Sequence, residues 1–140
     1  MGQIHASISL INPSDIELAR RLVIDPEEIR QITVSALVDT GSVFMAINEN
    51  IQQYLQLPVV GYERLELANG RVVEGPVVGP LMVRCMGETA HCSAIVMPDD
   101  SEPLLGAIPL EEMNLIIDSR HLELIPNSKL QKLSGWRFVD

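Results

Sequence analysis

The apolar run Ile32-Thr33-Val34-Ser35-Ala36-Leu37-Val38 stops at Asp39-Thr40-Gly41, and this junction constrains the fold more than any other feature of the chain. Val, Ile and Thr suit the pleated, half-buried surface of a sheet, so residues 32–38 are expected to form a strand. The turn after it sets a carboxylate at the strand's end, and Gly41 gives the backbone freedom that other residues lack. A carboxylate in that setting can be desolvated and aimed, as general acid–base chemistry requires. Asp-Thr-Gly by itself also serves as a plain turn, so its weight comes from a second segment downstream. There Leu104-Leu105-Gly106 leads into Ala107-Ile108-Pro109-Leu110-Glu111-Glu112-Met113, an apolar pair and a glycine followed by a short helical start.

The rest of the chain reads as strands and turns with short helices. Residues 3–11 alternate, with Ile4, Ala6, Ile8 and Leu10 on one face, and Asn12-Pro13-Ser14-Asp15 follows as a turn or loop. Residues 16–30 are read either as a short helix or as a variable excursion containing Asp25-Pro26. Asn48 can cap a helix carrying Ile47, Ile51, Tyr54 and Leu55 at helical spacing, ended by Pro58. Asn69-Gly70 between residues 62–68 and 71–73 is a strong short hairpin signal, since a type I′ turn needs positive φ at both central positions. Gly75-Pro76-Val77-Val78-Gly79-Pro80 reads as a bend, and residues 81–86 and 90–97 as a second hairpin turning near Gly87-Glu88. Pro109 is expected to open a helix with Glu111 and Glu112 in its first turn, where the dipole favours acids. Residues 126–140 are either a loosely held tail or a docking strand through Trp136-Arg137-Phe138-Val139.

Composition narrows the classes. A chain of 140 residues is expected to be a single domain, 1–140, large enough to bury a core. Hydrophobic residues make up 46% and aromatics only 4%, so that core should be built of Val, Ile, Leu and Ala. The formal net charge is −9 and no Lys/Arg cluster exists, which sets aside nucleic acid and anionic membrane surfaces as partners. No window approaches the roughly twenty apolar residues of a membrane span. Met1-Gly2-Gln3-Ile4-His5-Ala6 lacks a basic-then-apolar leader and lacks the Ser or Thr that myristoylation prefers at position six, so the expected location is cytoplasmic. In a reducing compartment Cys85 and Cys92 are expected as two free, half-buried thiols, even though a hairpin could bring them face to face.

Together the two segments resemble the retropepsin-like aspartic proteases. In that family an apolar-apolar-Asp-Thr/Ser-Gly-Ala/Ser strand carries the catalytic aspartate, and a later apolar-apolar-Gly segment packs beside it in a ψ-shaped crossing. Here these read Leu37-Val38-Asp39-Thr40-Gly41-Ser42 and Leu104-Leu105-Gly106, with Leu115-Ile116-Ile117-Asp118 in the place of the closing strand. The resemblance covers roughly residues 32–125. It implies an all-β, single-lobe closed barrel with short helices that works as a homodimer, its terminal strands or tails drawn into the dimer interface. It also implies an aspartic endopeptidase with catalytic Asp39 and an active-site loop of Thr40, Gly41 and Ser42. A flap formed by Ala68, Asn69, Gly70 and Arg71 would cover the substrate, and Leu104, Leu105 and Gly106 would support the site. By the same resemblance Thr40 would hydrogen-bond across the two-fold axis and Ser42 would bond the outer carboxylate oxygen. The flap tip has fewer glycines than the retroviral pattern.

Two carboxylates sharing a proton are needed for this chemistry, and the chain has one Asp-Thr-Gly, so the second must come from another copy. The expected substrate is a polypeptide in extended conformation, and no cofactor or metal is called for. Cys85, His91 and Cys92 lack metal-site spacing, because adjacent residues of a strand point to opposite faces. His5 and His121 are read as isolated, Asp118 as the start of a turn, and Asp99, Asp100 and Glu102 as a solvated loop. The alternative to an enzyme is a non-catalytic dimerisation or peptide-binding module on the same fold.

Overall fold

A computed structural model describes residues 3–66 and 69–128. Ala68 of the expected flap and the expected docking strand at 136–139 lie outside the described residues.

The strands follow the alternation of the sequence. The first, β1 (His5–Ile11), pairs antiparallel with β2 (Gln31–Val38) and buries Ile8 and Leu10. Between them lie α1 (Pro13–Arg20), which begins within the stretch expected as a turn, and a single 3₁₀ turn, Pro26–Glu28, so residues 16–30 are part helix and part irregular excursion. Buried Asn12 accepts from the Ser14 amide and donates to the Leu55 carbonyl, which pins the start of α1 to the core. Buried Asp15 closes the excursion by a two-pronged pair with the Arg30 guanidinium, at 2.8 Å to each oxygen.

After the Asp39 turn come β3 (Met45–Asn48) and α2 (Glu49–Leu55), whose Asn48 cap accepts from the Ile51 amide. Next are β4 (Val59–Glu66), β5 (Val72–Cys85) and β6 (Glu88–Met97). The short β7 (Leu104–Leu105) and α3 (Ala107–Glu112) lead to a two-stranded sheet of β8 (Leu115–Asp118) and β9 (Glu123–Pro126). Strands run in the order β1-β2-β7-β3-β6-β5-β4, and β1 also pairs with β5, so six of the seven close into a ring with β4 attached outside on β5. The fold is all-β with short helices.

Period-2 patterning explains why the central strands are apolar on both faces. Val38, Met45, Ile47, Ala94, Val96 and Leu105 enter one cluster with Ile8, Leu10, Leu81 and Val83. Their neighbours Ala46, Ile95, Met97 and Leu104 form a second cluster on the opposite face, joined by Val73 and packed by Leu37 and Leu65. Leu65 and Val73 come from the β4–β5 hairpin, so this second cluster seats the hairpin over the strand that carries Asp39. Both clusters are almost wholly aliphatic, as the low aromatic content requires.

Two local expectations are corrected, at residues 75–80 and at the start of α3, while the thiols are free as expected. Residues 75–80 are not a free bend but part of the long β5, with a register shift between Val78 and Leu81 that absorbs Pro80. Gly75 is needed there because an added Cβ would stand 2.5 Å from the Val96 carbonyl oxygen. In the second hairpin Met86 and Gly87 both take positive φ, the geometry of a type I′ turn, and the register pairs Cys85 with Glu88 and Cys92 with Leu81. The two thiols therefore do not face each other, and both are free. Finally, α3 begins at Ala107 rather than at Pro109, which places Glu111 and Glu112 at its C-terminal end. The Ala107 and Ile108 amides are satisfied by the Ser42 and Val43 carbonyls, so the loop after Asp39 starts the helix early. Among the described residues no helix is long and apolar enough to cross a membrane.

Candidate active site

Asp39 sits where β2 leaves the sheet, and backbone bonds on both sides hold it there. The Val38 amide donates to the Ile4 carbonyl at 2.8 Å, the Leu37 amide to Pro103 at 2.9 Å, and the Asp39 amide to Leu105 at 3.0 Å. Strands β2 and β7 thus run parallel through Leu37 and Leu104, then Val38 and Leu105, with Asp39 leaving at their common end. The loop closes locally: the Ser42 amide donates to the Asp39 carbonyl at 3.1 Å and the Gly41 amide to Asp39 Oδ1 at 3.0 Å.

Leu104 and Leu105 are buried in opposite clusters, and Gly106 then passes directly under the loop. A Cβ on Gly106 would lie 2.7 Å from the Ser42 carbonyl oxygen and would collide outright with that of Phe44. The glycine is a matter of space, since its φ of −88° is open to any residue. Buried Ser42 donates its hydroxyl to the Phe44 carbonyl at 3.1 Å, not to the carboxylate. A hydroxyl has one proton to give, so here Ser42 braces the loop while the Gly41 amide holds the carboxylate's Oδ1. No other hydrogen bond to the Asp39 side chain occurs among the described residues. The Asp39 side chain is half-buried, and Thr40 and Gly41 are exposed beside it.

A cavity of about 310 Å³ opens at this loop, lined by Asp39, Thr40, Leu37, Val38, Gln3, Ile4, Ile117 and Asn69. Hairpin-tip Asn69 therefore shares a cavity with Asp39, although the two are far apart in sequence. Gly70 takes φ +81°, and the Asn69 side chain accepts from the Arg71 amide at 2.9 Å, which shapes the tip. Gly70 and Arg71 are exposed at that tip and do not line this cavity. Gln3, Ile4 and Ile117 are lining residues that sequence reasoning missed. Ile117 is legible only as part of an apolar run, which carries no sign of what it faces.

Other titratable groups lie elsewhere and account for one another. His5 is not isolated, since its Nε2 lies 2.5 Å from Glu102. Nor is His121, whose Nδ1 lies 2.7 Å from Asp118 Oδ2. That bond, with the His121 and Arg120 amides, holds the Asp118 carboxyl below the usual range. Asp118 starts the expected turn, and its ligand-type atom lies within 4.8 Å of those of His121 and Glu123. Burial pushes both thiols up, Cys92 to about 12 with Glu112 adding to the effect, so neither offers a thiolate at neutral pH.

Comparison with known families gives one match: a family model described as Aspartyl protease fits residues 26–107, more than half of the chain. The match spans the Asp39 loop, the hairpin and the Leu104-Leu105-Gly106 crossing. No curated protein matches the chain.

Proposed function

Since the chain belongs to the aspartyl protease family, we propose that it is an endopeptidase whose catalytic pair is Asp39 from each of two copies in a homodimer. The observation that carries this is a half-buried carboxylate at a braced loop, open to a cavity that no second carboxylate lines among the described residues. Like charges about 3 Å apart cannot both ionise, so a two-fold dimer bringing the Asp39 loops together would hold one proton between them. The ionised carboxylate takes a proton from water as that water attacks the peptide carbonyl. The protonated partner donates to the carbonyl oxygen, and collapse of the tetrahedral species transfers a proton to the leaving amine. The acid and base belong to the pair, so the pH–rate profile reports two apparent pKa values of the dimer.

The chain's own residues supply the rest of the proposal. Exposed Thr40 stands next to Asp39 where a second copy would approach, and the Gly41 amide holds the carboxylate by its Oδ1. An extended polypeptide would lie between the loop and the β4–β5 hairpin, offering alternate side chains to opposite sides. Asn69, already on the Asp39 cavity, would close over it and exclude water.

The deciding experiment incubates wild type and Asp39→Asn with a diverse unstructured peptide pool from about pH 4 to 7 and reads products by mass spectrometry. Cuts made by wild type alone are expected. Silence from both proteins, with the wild type dimeric in solution, would leave a peptide-binding module on this fold.

A further inference from the structure

Two apolar cavities flank Phe44, outside the cavity that holds Asp39. One, of about 220 Å³, lies against Phe44, Val60, Tyr62, Leu65, Val77 and Ile95. The other, of about 240 Å³, also meets Phe44, with Met45, Cys92, Ile108 and Pro109. The two linings share only Phe44 and Ser93, and Phe44 is the larger of the two side chains that border both. Its backbone has little freedom: the carbonyl accepts from Ser42 Oγ and lies against Gly106, on the same loop that carries Asp39.

The first cavity and the Asp39 site meet the same apolar cluster. Leu37 lines the Asp39 cavity, Leu65 and Ile95 line the cavity at Phe44, and all three belong to or pack on the second apolar cluster. A chain laid over that cluster would present one alternate side chain to each. The lining is apolar apart from Glu63 and Ser93, on a protein of net charge −9, so an acidic side chain is disfavoured there. A cavity of about 150 Å³ suffices for a benzene ring, which makes this one large enough for a Leu or Phe side chain.

We propose that Phe44 is a size gate for the substrate: its ring closes off a pocket that accepts a Leu- or Phe-sized side chain of an extended polypeptide and withholds the second cavity. This rests on the reading of the Asp39 groove as a polypeptide site. Removing the ring joins the two cavities, so preference should move to larger side chains instead of being lost. Phe44 is 44% exposed, and its truncation leaves both core clusters intact.

The test separates binding from cleavage by using Asp39→Asn protein. A degenerate peptide pool is passed over immobilised D39N, D39N/F44A and D39N/F44W, and retained peptides are sequenced. Leu and Phe should be enriched over Ala and Asp by about tenfold at one position on D39N. On D39N/F44A the ratio of Trp to Leu at that position should rise about tenfold, and on D39N/F44W the preference should shift to Val and Ala. No positional enrichment, an unchanged preference in the variants, or loss without a shift in size overturns the proposal. Cleavage of the same pool by wild type reads the peptidase separately. Size-graded retention without cuts would overturn the peptidase and leave the gate, whereas cuts with no size preference would overturn the gate alone.

Discussion

Gly106 makes the tightest approach in the site, and the obstacle it faces is backbone, which cannot step aside as a flexible side chain can. Gly106→Ala should therefore destabilise the protein by about 2–3 kcal/mol through forced shifts of the 42–44 loop. Urea unfolding would show this as a lower midpoint at unchanged slope, with any peptidase activity falling alongside. Asp15 makes a different residue-scale prediction. Its hydrogen bond from Arg30 holds its carboxyl below its ordinary value of 3.8, with Arg30's charge adding and burial opposing. A carboxylate with a lowered folded pKa adds stability above its unfolded value and loses it as pH falls through the folded one. Asp15→Asn should thus cost about 2 kcal/mol at neutral pH, and the gap to wild type should narrow only below about pH 4. A gap that instead closed on raising the pH from 5 to 8 would contradict the assignment. The role of Gly106 as a member of an apolar-apolar-Gly pattern was legible in the chain, but the carbonyls it must clear were not. Ser42 shows the same limit, because nothing local decides whether its hydroxyl turns to a carboxylate or to a carbonyl two residues on.

Among the elements, the β4–β5 hairpin has the most consequence and the least anchorage. Beyond its ladder it is held by Leu65 and Val73 on the second cluster, while much of β4 is exposed. Val73→Ala should cost about 1–2 kcal/mol, and amides of β4 should exchange faster while those of β1 and β2 keep their protection. Equal loss of protection in all strands would mean that the hairpin does not open on its own. Asn69-Gly70 announced that the chain turns here, but pairing of Glu66 with Val72 centres the turn on Asn69, so it is not the expected two-residue type I′ turn. The length of β5 was not legible, because Gly75-Pro76 and Gly79-Pro80 carry ordinary turn signals that close packing on β6 overrides. The start of α3 was misjudged for a similar reason: Pro109 is a good first-turn residue, but the loop carbonyls of Ser42 and Val43 reach the chain two residues earlier.

The whole molecule is a ring of strands with two aliphatic cores, and it offers one Asp39 loop per chain. If catalysis needs a pair, activity per chain should rise with protein concentration. Adding an equal amount of Asp39→Asn should then lower the activity per wild-type chain by about half, as random pairing puts half of those chains in mixed dimers. Activity per wild-type chain that ignores both dilution and the added variant would point to a monomeric catalyst. The measurement uses exchange-equilibrated mixtures with sedimentation to read the dimer fraction.

The amino-acid sequence determined by itself the features that depend on neighbours along the chain. These are the strands from period-2 alternation, the Asn48 cap, the Asn69-Gly70 turn and the paired Asp39 and Leu104-Leu105-Gly106 signatures. Each is a contest between local conformations, settled by propensity and hydrogen bonding over a few residues. Only the tertiary structure decided which residues meet across the ring. It placed Asn69, Ile4 and Ile117 around Asp39, set Phe44 against two cavities, kept Cys85 and Cys92 apart, and paired His5 with Glu102. Those outcomes follow from strand register and from two clusters packing on opposite faces of one sheet, and residues distant along the chain contribute to both.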